Sequence, residues 1–324
     1  MQAHIIALKE NYSSINIIVL TFQYPFFVGT YKWNDIDVIS FGGEEKGKVR
    51  RLLLWTRVWN VLKGLQKETN ILGLFSFWCT ECALIGSYFG KRYQLKHFTW
   101  LCGQDAKKEN KYVRLVRPTP GALIAQSDFL KREFHKNHGV EPLHVIPLGV
   151  EPSHFAIRDT QRDIDVLGVG SLIPLKQYGV FVSVVENVKK SIPGISAMIC
   201  GKGPEKKKLI ATIAGHNLQD NLALTGELPR SEILGLMQRT KVFVHTSNYE
   251  GFGAVCIEAL YAGAHVVSFT KPMDTAIAHW HHVKDEKEMA EKIIALLTAG
   301  TISHEPILPY TTTSIANNIM ALFS

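Results

Sequence analysis

From Ile164 to Phe269 short apolar runs rich in β-branched residues alternate with segments of helical spacing, and this constrains the fold more than any other feature of the chain. "IDVLGVGSL", "ISAMICGKGP" and "LALTGEL" read as strands that run into glycine-containing turns, and "KVFVHTS" and "HVVSF" as two more strands. Between them lie "GVFVSVVENVKKSI", "EKKKLIATIAGHN" and "SEILGLMQRT", which read as helices, the last with Ser231 as its N-cap. Strands that alternate with helices of about 10 to 15 residues pair in parallel, because each helix carries the chain back across the sheet. The fold class is α/β, a doubly wound arrangement.

The first half repeats the rhythm less regularly. "INIIVLTF" (15–22) and "DIDVISF" (35–41) read as strands, "HFTWLCGQD" (97–105) as a strand entering a turn, and "LHVIPLGV" (143–150) as the strand that leaves this half. "GALIAQSDFLKREFHKNHG" gives a strand, a cap at Ser127 or Asp128, and a helix closed by Gly139. Residues 46–67 form a basic amphipathic helix, with Val49, Leu52, Leu53, Thr56, Trp59, Leu62 and Gln66 near helical spacing. Pro152 and a charged run mark a linker over 151–165, and the last 15 residues are helical in pattern. At 324 residues the chain has room for two cores.

Charge separates the halves. The net +7 lies wholly in residues 1–155, with 20 Lys or Arg against 13 Asp or Glu, whereas residues 156–324 hold 16 of each. An anionic partner of the first half follows, and the basic helix suits an anionic membrane surface as well as it suits an ordinary solvated face. Basic residues are not interleaved on an RNA-reading motif, so nucleic acid is not expected. The start lacks a signal-peptide pattern, and the longest apolar run, "ILGLFSFWCTECALIG", is short for a bilayer span and contains Glu81. A cytoplasmic protein, peripheral at most to the inner membrane face, is expected. Five cysteines suggest reduced thiols, and the CxxC of Cys79 and Cys82 has no second ligand pair, so no metal is expected.

In doubly wound sheets, ligands sit where strand ends feed helix N-termini, because free backbone N–H groups there attract anions. "TSNYEGFGAVCIEALYAG" (246–263) is such a place: a turn after the strand, a helix from about Gly253 to Ala262, and Gly263 as an αL cap. Glu250 falls on the turn and Glu258 inside a nearly apolar helix, where a carboxylate needs a partner. Paired acids suit sugar and ribose hydroxyls, and Gly251 and Gly253 allow a ligand close to the backbone. Lys176, behind a glycine-rich strand end and a proline loop, suits a diphosphate.

These residues resemble the donor-binding domain of retaining glycosyltransferases of the GT-B fold, the large group called family 4 or group 1. "GVGSLIPLKQY", "ICGKGP" and the stretch from "LTGELPRSEI" to "ALYAGAHVV" follow that family's pattern in order, and Glu250 with Glu258 match its E-x7-E motif. The resemblance implies two Rossmann-like domains across a cleft: an acceptor domain over 1–155, a donor domain over 156–305, and a terminal helix over 306–324 that packs back on the first. It also implies a nucleotide-sugar donor, a saccharide or lipid-linked acceptor, no cofactor or bound metal, and a role in cell-surface polysaccharide or glycolipid synthesis.

By the same resemblance Glu250 contacts the transferred sugar, Glu258 the ribose and Lys176 the diphosphate, with Glu250 and Lys176 the catalytic pair. Gly170, Ser171, Gly201, Gly203 and the backbone of Gly251, Phe252, Gly253 and Ala254 line the donor site, and Thr225 and Leu228 lie near the base. His97, Gly103 and Asp105 fall on the acceptor side. Ser171 departs from the pattern, which has arginine there, and Cys102 stands where a histidine is common. An epimerase on a similar fold and a non-catalytic nucleotide-sugar binder are the alternatives.

Overall fold

The computed structural model describes residues 1–44, 47–155, 161–300 and 302–324, and the chain divides into two compact units. One comprises Met1–Leu148 with Thr312–Ser324, the other Gly149–Thr311. The linker read over 151–165 falls in part on 156–160, and the start of the basic helix at Lys46 also lies outside the described residues.

The first unit opens with α1 (Gln2–Asn11), β1 (Ile18–Thr21), β2 (Val28–Trp33) and β3 (Ile36–Phe41). Here β3 pairs parallel with β1 and antiparallel with β2, giving a three-stranded mixed sheet. Helix α2 (Lys48–Glu68) follows, then β4 (Gly73–Phe77), α3 (Glu81–Tyr93), β5 (Lys96–Trp100), α4 (Lys111–Val116), β6 (Leu123–Ala125), α5 (Asp128–His138) and β7 (His144–Val145). Strands β4, β5, β6 and β7 form a parallel sheet in that order. The apolar run around Cys79 is therefore a strand, a turn and a helix, broken where Glu81 begins α3. Ser127 caps α5 by accepting from the Leu130 N–H at 3.0 Å, and Gly139 ends it at φ +70°.

The basic helix forms as read, and Trp59 and Leu62 of the expected face pack inward, but in its first turns a different set is buried. Leu54, Val58 and Leu62 are buried against Ile85 and Phe89, while Val49, Leu52 and Leu53 are exposed. Both sets satisfy helical spacing, and the packing of α3 selects between them.

The second unit contains β8 (Ile164–Val169), α6 (Tyr178–Lys189), β9 (Ala197–Cys200), α7 (Lys206–Gly215), β10 (Leu222–Gly226), α8 (Arg230–Gln238), β11 (Thr240–His245), α9 (Ala254–Tyr261), β12 (His265–Ser268), β13 (Trp280–His282) and α10 (Glu286–Thr298). Its six strands are all parallel, in the order β10-β9-β8-β11-β12-β13. Apolar cores line both faces, one built on α6 and α10, the other on α8 and α9. Helix α8 starts at Arg230 behind Pro229, so Ser231 lies inside the helix and does not cap it. Helix α11 (Thr312–Ala321) belongs to the first unit, where it packs on α1 and Asn317 accepts from the Tyr12 hydroxyl at 3.0 Å.

The strand order reverses between β8 and β11: the chain steps outward from β8 to β9 and β10, then returns to the other side of β8 with β11. Loops that leave the carboxyl ends of those two strands diverge to opposite faces and open a crevice, the position at which such sheets take ligands.

Candidate active site

The turn after β8 carries Lys176 and the turn after β11 carries Glu250, and the two side chains meet: Lys176 Nζ lies 2.5 Å from Glu250 Oε2. Thr246, one residue past β11, donates its hydroxyl to the Lys176 carbonyl at 2.6 Å and so ties the two turns by a second bond. A proline-led 3-10 turn (Pro174–Lys176) and Gln177 at φ +50° aim the lysine back over the strand end. His245, the buried last residue of β11, places Nε2 3.4 Å from the same carboxylate oxygen.

These two neighbours fix the charge of Glu250. Burial would push the carboxyl up, but the contact with His245 and the charge of Lys176 outweigh it and hold the group down at about 2. Glu250 is an anion throughout the physiological range.

Glu258 sits on α9, 12% exposed, with Oε1 2.6 Å from Arg230 Nη2 at the start of α8; the arginine is 59% exposed. That is the partner a carboxylate in so apolar a helix requires. Buried Cys256 lies between the two acids: its thiol is pushed up by burial and then by Glu250 and Glu258. Gly253 takes φ +90° at the start of α9, and a Cβ there would stand 3.7 Å from Glu250 Cγ.

The neighbouring strand ends are fastened to one another. Gly170 N–H donates to the Cys200 carbonyl, Leu172 N–H to Lys202, and Gly201 N–H to Gly226. The approach is so close that a Cβ on Gly201 would fall 1.9 Å from the Gly170 oxygen, and one on Gly203 2.3 Å from the Leu172 oxygen. Glycine is needed at both positions for packing alone. Ser171 is exposed in the turn after β8, and the Thr225 hydroxyl donates to the Gly226 carbonyl at 3.0 Å. Leu228 packs partly buried against the α8–α9 core. Phe252 is turned inward, with its ring 6.4 Å from Trp280 and 6.0 Å from Tyr310, so only the backbone of that residue is offered to a ligand.

Residues 151–307 match the family described as Glycosyl transferases group 1. This stretch is a group 1 glycosyltransferase domain. The chain is 29% identical over 103 residues to 2-deoxystreptamine N-acetyl-D-glucosaminyltransferase of Niallia circulans, which covers 32% of this chain and 26% of that one. It is 26% identical over 237 residues to poly(ribitol-phosphate) alpha-N-acetylglucosaminyltransferase of Staphylococcus aureus, 67% of this chain and 47% of that one. The chain thus spans less than half the length of these curated relatives. The crystal structure of Anabaena Alr3699/HepE in complex with UDP and glucose superposes with a TM-score of 0.69 at 16% identity, over 99% of this chain and 92% of that one. That likeness shows the fold, which is GT-B.

Within the group 1 domain, sequence reasoning missed Arg230, Thr246 and His245. Arg230 meets its acid across 28 positions, and His245 reads as one more residue of an apolar strand.

Outside the domain, His97 is not brought together with Gly103 and Asp105. It lies near the amino end of β5, its ring nitrogen 2.9 Å from the Ser76 hydroxyl, and burial pushes it down to about 4. It lines a cavity of about 310 Å³ with Lys91 and Arg117. Gly103 and Asp105 form a turn past the carboxyl end of the same strand, where Asp105 accepts from the Cys102 N–H at 2.8 Å and is pushed up to about 6 by burial. His97 is the second residue of β5, and the strand runs on for three more residues, about 10 Å, before the turn begins. Cys79 and Cys82 are free thiols, both pushed up by burial. Among the described residues no group of three or more His, Cys, Asp or Glu could hold a metal ion.

Proposed function

We propose that the protein is a retaining glycosyltransferase that moves a hexose-type sugar from a nucleotide sugar to a saccharide or lipid-linked acceptor, in cell-surface polysaccharide or glycolipid synthesis. The observation that carries this reading is the pairing of Lys176 with Glu250 at the β8/β11 crevice of a group 1 domain. UDP is the preferred nucleotide, because the HepE structure holds UDP, and N-acetylglucosamine heads the candidate sugars, because both curated relatives are N-acetylglucosaminyltransferases. A place at the inner membrane face goes with a lipid-linked acceptor.

The chemistry follows from charge. Departure of the nucleotide diphosphate builds negative charge on its phosphates, so Lys176 and the backbone N–H groups at the start of α9 stabilise the transition state more than the ground state. Before the donor arrives Glu250 neutralises Lys176. When the diphosphate takes over that ammonium group, Glu250 is released to accept from sugar hydroxyls, and Glu258 does the same for the ribose. No bound metal is needed, because Lys176 and oriented N–H groups supply the positive field. Activity therefore persists in a chelator such as EDTA.

The test is incubation with UDP-, GDP- and ADP-sugars, reading free nucleoside diphosphate and, by NMR, the anomeric configuration of the product. Release of nucleotide with retained configuration is expected. An isomerised nucleotide sugar with no release would make it an epimerase, and a thermal shift with no turnover would make it a binder.

A further inference from the structure

We propose that the first unit docks on an anionic lipid bilayer through two elements clamped together at Glu81: the apolar loop before β2 and the first turns of α2. This deepens the membrane placement proposed above, and it rests on no step of the transfer reaction.

The loop is unusual for a water-facing segment. Tyr24, Phe26, Phe27 and Val28 are between 51% and 71% exposed, and three of them are aromatic. Their rings are pre-arranged, Tyr24 against Phe26 at 5.4 Å and Phe27 against Tyr31 at 5.7 Å. On α2, Val49, Leu52 and Leu53 are 58% to 72% exposed, although Leu54 beside them is buried.

Glu81, buried at the start of α3, holds both elements. Gln23, next to the loop, donates to Oε2 at 3.0 Å; Trp55 of α2 donates to the same oxygen at 2.9 Å; Arg51 places Nε 2.7 Å from Oε1. The segment entering α2 is fastened to the base of the loop, with Gly43 N–H donating to the Phe22 carbonyl at 2.9 Å. A fully partnered carboxylate makes this a rigid corner. The loop that carries the exposed aromatics and the helix turns that carry the exposed aliphatics are therefore held to one carboxylate.

Charge decides the occupant. Helix α2 carries six Lys or Arg and one Glu, and residues 22–67 carry eight Lys or Arg against four Asp or Glu. Exposed Arg50, Arg57 and Lys63 accompany the apolar residues along the helix. A second copy of the chain on a two-fold axis would set this basic face against itself, which repels. An anionic bilayer satisfies both components, since aromatic and aliphatic side chains enter the interfacial layer while cations meet headgroups.

The experiment is flotation of the full chain with vesicles of phosphatidylcholine alone or with 30% phosphatidylglycerol, at low and high salt, for wild type and two double variants. Wild type should float with the anionic vesicles only and lose binding at high salt. Arg50→Gln/Arg57→Gln should weaken binding about 30-fold, the loss of two headgroup contacts, and Phe26→Ser/Phe27→Ser about 10-fold or more. Circular dichroism and an unchanged thermal shift with UDP would confirm that both variants fold. Absence of flotation, equal flotation with neutral vesicles, or variants that float like wild type would overturn the proposal. So would a dimer in sedimentation velocity that these substitutions disperse without any lipid binding.

Discussion

At the residue scale the candidate site is a set of paired charges, Lys176 with Glu250 and Arg230 with Glu258. Lys176→Ala removes the cation proposed to meet the leaving diphosphate, and Glu250→Ala removes the acid beside it; each should lower turnover by about 10²-fold or more in a steady-state assay of nucleotide release. Glu250 also has a pH signature. Its folded value of about 2 lies below the ordinary 4.5, so its contribution to stability, about 3 kcal/mol, is fully present above pH 4.5 and is lost as the pH falls towards 2. The wild-type advantage over Glu250→Gln in denaturant titrations should accordingly shrink between pH 4.5 and 2 and stay constant from pH 5 to 8. Arg230 orients Glu258 and does not touch the reacting atoms in this scheme. Arg230→Ala should raise the donor KM about 5- to 10-fold while kcat changes less than twofold, and Arg230→Lys should restore part of the KM. Glu250, Glu258 and Lys176 were legible in the sequence because glycines, a proline loop and an apolar helix frame them. Arg230 was not, because its acid lies 28 positions away on another helix, and His245 was not, because it reads as one more residue of an apolar strand.

At the element scale the glycines at the strand ends separate two physical roles. Gly203→Ala would drive a Cβ into the Leu172 carbonyl, a backbone atom that cannot step aside, and should cost about 1–3 kcal/mol in urea unfolding. Gly64→Ala, in α2 with open space around the new methyl, should gain about 0.5–1 kcal/mol by the same measurement. Elements buried on both faces, such as β8, β11 and β12, were plain in the sequence as continuous β-branched runs. Strand β2 was hidden because "VGTYKW" lies at a sheet edge and alternates exposed with half-buried positions. The face of the first turns of α2 was misassigned for a different reason: leucines and valines there offer two apolar stripes, and spacing cannot say which one packs. The surplus stripe is what the bilayer proposal uses.

At the scale of the whole molecule, the parallel six-stranded sheet of the second unit positions the candidate site. Reversal of strand order between β8 and β11 sets Lys176 and Glu250 opposite each other although 74 positions of chain separate them. The alternation of strands and helices announced a doubly wound sheet, and the glycine-rich turns marked the strand ends where Lys176 and Glu250 meet. The mixed sheet at the start of the chain and the docking of α11 on α1 depend on contacts between distant segments that no local pattern records. Among the described residues no helix is long and apolar enough to cross a membrane. The most direct test of the diphosphate site is calorimetric titration of UDP, GDP and ADP into wild type and Lys176→Ala. One nucleotide should bind wild type and bind the variant at least 10-fold more weakly; no binding by any of the three, or equal binding by both proteins, would contradict the assignment.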